Sequence, residues 1–193
     1  MSNGSGPTQT ADAVPGNIFL VGLMGAGKTS VGRLLAKQFG KTFYDCDREI
    51  ERRTGVTIPV IFEIEGEQGF RAREATVLRE LVELHDIVLA TGGGAVLRED
   101  NRRLLKEKGT VVYLRASLED LWQRTRHDRN RPLLQTADPR AKLEQLFTER
   151  DPLYCEVATL IVDTGNQSLR SLTHRLEQHL CEHFRVNKSI TSG

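Results

Sequence analysis

The chain has 193 residues, 38% hydrophobic and 27% charged, with 27 Lys and Arg against 26 Asp and Glu for a net charge of +1. These values describe one folded domain with a core of its own and exclude a disordered chain or a globally basic nucleic-acid binder. No apolar run nears the ~20 residues of a membrane span, and Cys46, Cys155 and Cys181 form no C-x-x-C pair, as expected of reduced thiols in a cytoplasmic protein.

Residues 1–16, rich in Ser, Gly, Thr and Pro and without Arg, read as a flexible tail and not as a secretory or transit segment. Ile18-Phe19-Leu20-Val21 reads as a buried strand. After it come Gly22, four residues, Gly27-Lys28-Thr29, and an apolar-periodic helix with Val31, Leu34 and Leu35, ending near Gly40. This is the phosphate-binding loop pattern in its required context of strand, loop and helix. Gly22, Gly25 and Gly27 let backbone N–H groups and the helix N-terminus approach a polyphosphate. Lys28 suits its β- and γ-phosphates, and the Thr29 hydroxyl suits Mg²⁺.

A second short strand, Thr42-Phe43-Tyr44, delivers Asp45-Cys46-Asp47 at its C-terminal end, where ligands collect in open α/β sheets. Asp47 is equally readable as the N-cap of a helix beginning at Arg48. Residues 58–84 read as helical with a break at Gly66 and an apolar stripe of Phe70, Val77, Leu78 and Leu81. Spacing alone favours Arg71 pairing with Glu74 at i,i+3 on a solvated face. Ile87-Val88-Leu89-Ala90 has the unbroken apolar character of a strand buried on both faces. It ends in Thr91-Gly92-Gly93-Gly94, either a loose turn or a place where backbone must lie bare against something.

A helix over Arg98–Lys108 closes at Gly109, followed by a strand at 111–114 and a helix capped by Ser117, with Asp120 three residues on. The stretch from Arg124 to Pro132 carries Arg124, Arg126, Arg129 and Arg131 with little apolar content. It reads as a solvated basic loop or as a lid whose arginines close over phosphates; without interleaved aromatics, a nucleic-acid role is disfavoured. A helix from about Pro139 to Arg150 is expected to stop at Asp151-Pro152, with Arg150 complementing its dipole on the simplest view. A strand at 159–162 and an amphipathic helix through Leu169, Leu172, Leu176, Leu180 and Phe184 complete the fold. His179 and His183 share the i,i+4 spacing of metal ligands, but without a third partner a solvated helix face is the better reading. The five strands alternating with helices predict a doubly wound α/β sheet with helices on both faces.

The order of motifs over residues 17–180, GLMGAGKT, FYDCD, GEQGFRAREA, LATGGGAV, RNRPLL and ERDPLY, resembles that of shikimate kinases. The resemblance implies the nucleoside monophosphate kinase type of fold: a three-layer α/β/α domain around a five-stranded parallel sheet of order 2-3-1-4-5, with a mobile lid. It sets a single domain at 17–185, the lid at about 124–136, and a frayed tail at 186–193. It implies transfer of the γ-phosphoryl of ATP to the 3-hydroxyl of shikimate, giving shikimate 3-phosphate and ADP on the route to aromatic amino acids.

By the same resemblance Gly25, Ala26, Gly27, Lys28, Thr29 and Ser30 cradle Mg-ATP, with Thr29 on the metal and Arg124 and Gln167 near the adenine. Asp47, Arg71, Gly92, Gly93, Gly94 and Arg150 hold the acceptor. Asp47, Lys28 and the lid arginine, Arg131, are the catalytic groups. Shikimate fits these residue types: two arginines match its carboxylate, and Asp47 can orient a ring hydroxyl and accept its proton. Leu160-Ile161-Val162-Asp163 has the look of a Walker B strand, yet Asp45 is the carboxylate expected behind the metal. The partners implied are small molecules only, without membrane or nucleic acid, acting on a monomer. The alternatives are a kinase for another small metabolite, such as gluconate, and a nucleotide-binding module without catalysis.

Overall fold

The computed structural model describes residues 14–128, 130–165 and 167–191. The expected tail over 1–13, Arg129 of the lid stretch, Asn166, and residues 192–193 lie outside these.

Five strands build one parallel sheet: β1 (Asn17–Val21), β2 (Thr42–Asp45), β3 (Ile87–Ala90), β4 (Gly109–Arg115) and β5 (Leu160–Asp163). Their order is β2-β3-β1-β4-β5, as the resemblance implies, and every pairing is parallel. The two central strands explain their own composition. β1 and β3 are buried at every position, so an alternating pattern would leave polar side chains without water. Among the described residues six α-helices fill the connections, α1 (Lys28–Phe39), α2 (Cys46–Thr54), α3 (Ile58–Leu81), α4 (Glu99–Lys108), α5 (Leu118–Thr125) and α6 (Pro139–Val157), and α7 (Leu169–Thr191) follows the last strand. Two 3₁₀ turns, at Ala95–Leu97 and Pro132–Leu134, join them.

Local chemistry sets the helix starts that matter for the site. Asp45 is the N-cap of α2, its carboxylate accepting from the N–H groups of Asp47 (3.1 Å) and Arg48 (3.3 Å). The capping alternative for Asp47 is thereby corrected: Asp45, two residues earlier, occupies that position, and Asp47 lies in the first turn of the helix. Ser117 caps α5 through the Asp120 N–H, and Asp138 caps α6 with Pro139 in the first turn.

Helix α3 breaks where expected. Gly66 adopts φ 69° and ψ −177°, a region open essentially to glycine alone, and the break turns Ile58–Glu65 away from the line of the second half.

One expectation is corrected. Helix α6 does not stop at Pro152 but continues to Val157. The missing N–H of proline costs one hydrogen bond, and burial of Leu143, Leu146, Tyr154 and Val157 offsets it. Arg150 therefore sits in mid-helix, not in a last turn. Helix α7 runs through Thr191, beyond the point where a frayed tail is expected, and Ser189 Oγ donates to the Arg185 carbonyl inside it. At the other end Val14, placed in the flexible tail by composition, is 3% exposed and joins the core.

Candidate active site

The strand ends of β1, β2 and β3 open on one edge of the sheet, and each delivers a functional segment there. From β1 comes the loop leading into α1. Gly25 (φ 81°) and Gly27 (φ 95°) hold left-handed backbone, and Lys28 Nζ folds back to donate to the carbonyls of Gly22 (2.6 Å) and Leu23 (3.0 Å). Burial draws the Lys28 ammonium down to about 8, although Asp47 and Asp45 oppose the change.

From β2 comes Asp45, whose second oxygen accepts a 2.6 Å hydrogen bond from Thr29 Oγ1. One carboxylate thus joins the phosphate loop to the start of α2. Asp47 follows on that helix. Its Oδ1 is buried with no hydrogen-bond partner. Burial first, and then the negative charges of Glu74 and Asp45, push its carboxyl up to about 6.

From β3 come the three glycines, and the spacing to their neighbours explains them. A Cβ at Gly92 would stand 2.1 Å from Glu74 Oε1 and 3.0 Å from Asp47 Oδ1, and one at Gly94 would stand 2.2 Å from the Arg71 guanidinium carbon. The turn is bare because two carboxylates and a guanidinium lie against it.

Arg71 is held by Glu74 (2.8 Å) and Glu67 (3.1 Å), its side chain only 13% exposed. The pairing read from the i,i+3 spacing is real, but its setting is buried, since Glu74 is 1% exposed. Burial raises the Glu74 carboxyl, and Arg71 opposes it. Arg150 is 2% exposed, its Nε has no hydrogen-bond partner, and it makes no ion pair among the described residues. A buried guanidinium without a carboxylate is costly, and this one faces the cleft beside Gly93.

Two clefts meet here. One is lined by Asp47, Arg71, Glu74, the three glycines and Arg150, with an apolar wall of Ile58, Phe62, Phe70 and Leu133. The other is lined by Gly25, Gly27, Lys28, Thr29, Ser30, Asp45 and Thr91. Met24, Asp47, Gly93 and Arg131 line both.

The remaining residues expected at the site lie around these clefts. Ala26 is buried beneath the loop. Arg131 pairs with Asp128 at 2.8 Å, and Arg124 donates to the Gly25 carbonyl at 3.1 Å. Gln167 donates to the Thr164 carbonyl within its own loop and lines neither cleft. Asp163 forms an ion pair with Arg115 on the neighbouring strand at 2.7 Å, whereas Asp45 touches Thr29. Glu74, the Phe62–Phe70 wall, Met24 and Tyr154 are site-forming groups that motif reading passes over. For Glu74 the signal was present in its spacing from Arg71, but burial is not visible in spacing.

A phosphate loop, a hydroxyl–carboxylate pair beside it and an adjoining cationic cleft define a P-loop kinase of a small acceptor. Comparison with known proteins narrows this. The shikimate kinase family model matches residues 24–181. A shikimate kinase of Nitrosospira multiformis is 64% identical over 168 residues, 87% of this chain and 86% of that protein. One of Chromobacterium violaceum is 63% identical over 89% of this chain and 93% of its own length. The solved shikimate kinase of Acinetobacter baumannii in complex with shikimate superposes with a TM-score of 0.86 at 52% identity, covering 88% of this chain and 94% of that one. This chain belongs to the shikimate kinase family. A gluconokinase of Sinorhizobium meliloti, 18% identical with a TM-score of 0.57 over 94% of this chain and 99% of its own, shares the fold alone.

Proposed function

We propose that this protein transfers the γ-phosphoryl group of ATP to the 3-hydroxyl of shikimate, giving shikimate 3-phosphate and ADP, a step toward chorismate and the aromatic amino acids. The observation that carries this reading is the position of Asp47. It stands on the wall shared by the phosphate cleft and the cationic cleft, where a hydroxyl of one ligand would meet the terminal phosphate of the other. The buried Arg150, which makes no ion pair among the described residues, and Arg71, which lines the same cleft, give the acceptor's carboxylate a charge-assisted anchor. The apolar wall of Phe62 and Phe70 suits the carbon face of its ring.

In this reading the loop from Gly25 to Ser30 holds the triphosphate, and Arg124 and Gln167 flank the adenine. Asp47 accepts a hydrogen bond from the attacking hydroxyl, orients it in line and takes its proton as the bond to phosphorus forms. Phosphoryl transfer depends more on positioning and charge neutralisation than on a strong base, and Lys28 and Arg131 place positive charge on the transferring oxygens. Thr29 Oγ1 and Asp45 Oδ2, 2.6 Å apart, are hard oxygen donors that fit Mg²⁺, with Thr29 as ligand and Asp45 behind it. Bound there, the metal supplies neutralisation of the phosphate charge.

We read the protein as a cytoplasmic monomer of one domain with a lid at about 124–136. No helix among the described residues is long and apolar enough to cross a membrane. A coupled assay of ADP release with shikimate, quinate, gluconate or no acceptor tests the function. Release that depends on shikimate is expected, and equal release with gluconate would overturn the assignment.

A further inference from the structure

We propose that Tyr154 is a positioning residue for the acceptor, its hydroxyl locking the glycine turn to α6 so that the Gly94 N–H faces the cleft. This rests on the acceptor reading above. Tyr154 is fully buried; its hydroxyl donates to the Gly93 carbonyl and meets the Arg150 side chain. A trans peptide points its C=O and N–H in opposite directions. Fixing the Gly93 oxygen against a core side chain therefore aims the Gly94 N–H away from the core, into the cleft that both glycines line. The same side chain lies one turn beyond Arg150 on α6, whose guanidinium comes within 3.7 Å of where a Cβ of Gly93 would be. One hydroxyl thus sets the distance between a backbone donor and the arginine that anchors the carboxylate.

The phenol is itself held. Its ring packs on Tyr113 with centroids 4.9 Å apart, and Tyr113 of β4 donates to Asp151 at 2.7 Å, which pins α6 to the sheet. Tyr113 therefore supports the helix without touching the turn, and provides the control.

Y154F and Y113F each lose one hydroxyl and keep the ring. Y154F should raise the KM for shikimate about tenfold, the size expected when a buried carbonyl loses its donor, while the KM for ATP stays within about twofold. Y113F should lower Tm and leave both KM values near wild type. A shikimate KM for Y154F within about twofold of wild type, or parallel changes in KM and Tm for the two variants, would overturn the proposal. A second reading needs no variant: in ¹⁵N-labelled wild-type protein the Gly94 amide proton should move downfield on saturation with shikimate, and an unmoved resonance would overturn it as well. Wild-type protein that fails to turn over shikimate would sink the function itself, an outcome distinct from any of these.

Discussion

Replacing Asp47 by Asn should make the protein more stable and far less active. In the fold the carboxyl stands at about 6 against an ordinary 3.8, and each pK unit is about 1.4 kcal/mol, so its ionised form costs about 3 kcal/mol near pH 8. Above pH ~6 the group is charged in both folded and unfolded chains and the full penalty applies; below pH ~4 it is neutral in both and the penalty vanishes. Its contribution to stability therefore improves as pH falls from about 6 to 4. The attraction of Lys28 is already contained in that shift, but the amide of the variant is buried where Asp47 Oδ1 has no hydrogen-bond partner, so a net gain of about 1–2 kcal/mol is expected at pH 8, or a Tm rise of roughly 3–6 °C for a chain of this size. Turnover should fall by about 100-fold or more, as for a lost proton acceptor. Thermal melts of both proteins at pH 4.5 and pH 8, beside shikimate-dependent ADP release, make the measurement. A variant less stable at pH 8, or equally stabilised at both pH values, would refute the electrostatic reasoning. Near-normal turnover would remove Asp47 from the reaction.

In wild-type enzyme kcat/KM should lose activity on the acid side near pH 6, where Asp47 takes up its proton; a profile flat down to pH 5 would contradict this. Arg150→Ala should weaken shikimate use by roughly 2–5 kcal/mol, as for a desolvated charge partner, with ATP affinity almost unchanged; equal loss for both ligands would tell against the anchor. Gly66→Ala should lower stability by about 1–3 kcal/mol, because the non-helical backbone there disfavours a side chain, and an unchanged melt would show that α3 straightens without loss. Proteolytic cleavage near Arg131 should slow when nucleotide and shikimate are both present, as for a lid that closes on substrate, and unchanged cleavage would argue for an ordinary loop.

What the sequence revealed about this site followed the range of the interaction. The phosphate loop, the glycine turn and the unbroken apolar runs of β1 and β3 are local patterns, and each stands where the residues place it. The capping of α2 turned on which of two aspartates two residues apart faces the helix N-terminus, a choice made by backbone direction at the end of β2. Pro152 misled for another reason: a local rule about helix ends yielded to burial of Leu146, Tyr154 and Val157. Glu74 and Tyr154 lay furthest from view. Glu74 matters because Gly92 and Arg71 close over it, and Tyr154 because its hydroxyl donates a hydrogen bond to a carbonyl 61 residues away. Sheet order, too, came from the motif series as a whole and not from any one strand.

Asp45 spends one oxygen on the α2 amides and the other on Thr29. The grip on the nucleotide and the wall facing the acceptor therefore share a hinge pin, and no exchange at this position can retune one without disturbing the other. Random libraries selected for a new acceptor should leave position 45 untouched while neighbouring wall residues drift freely.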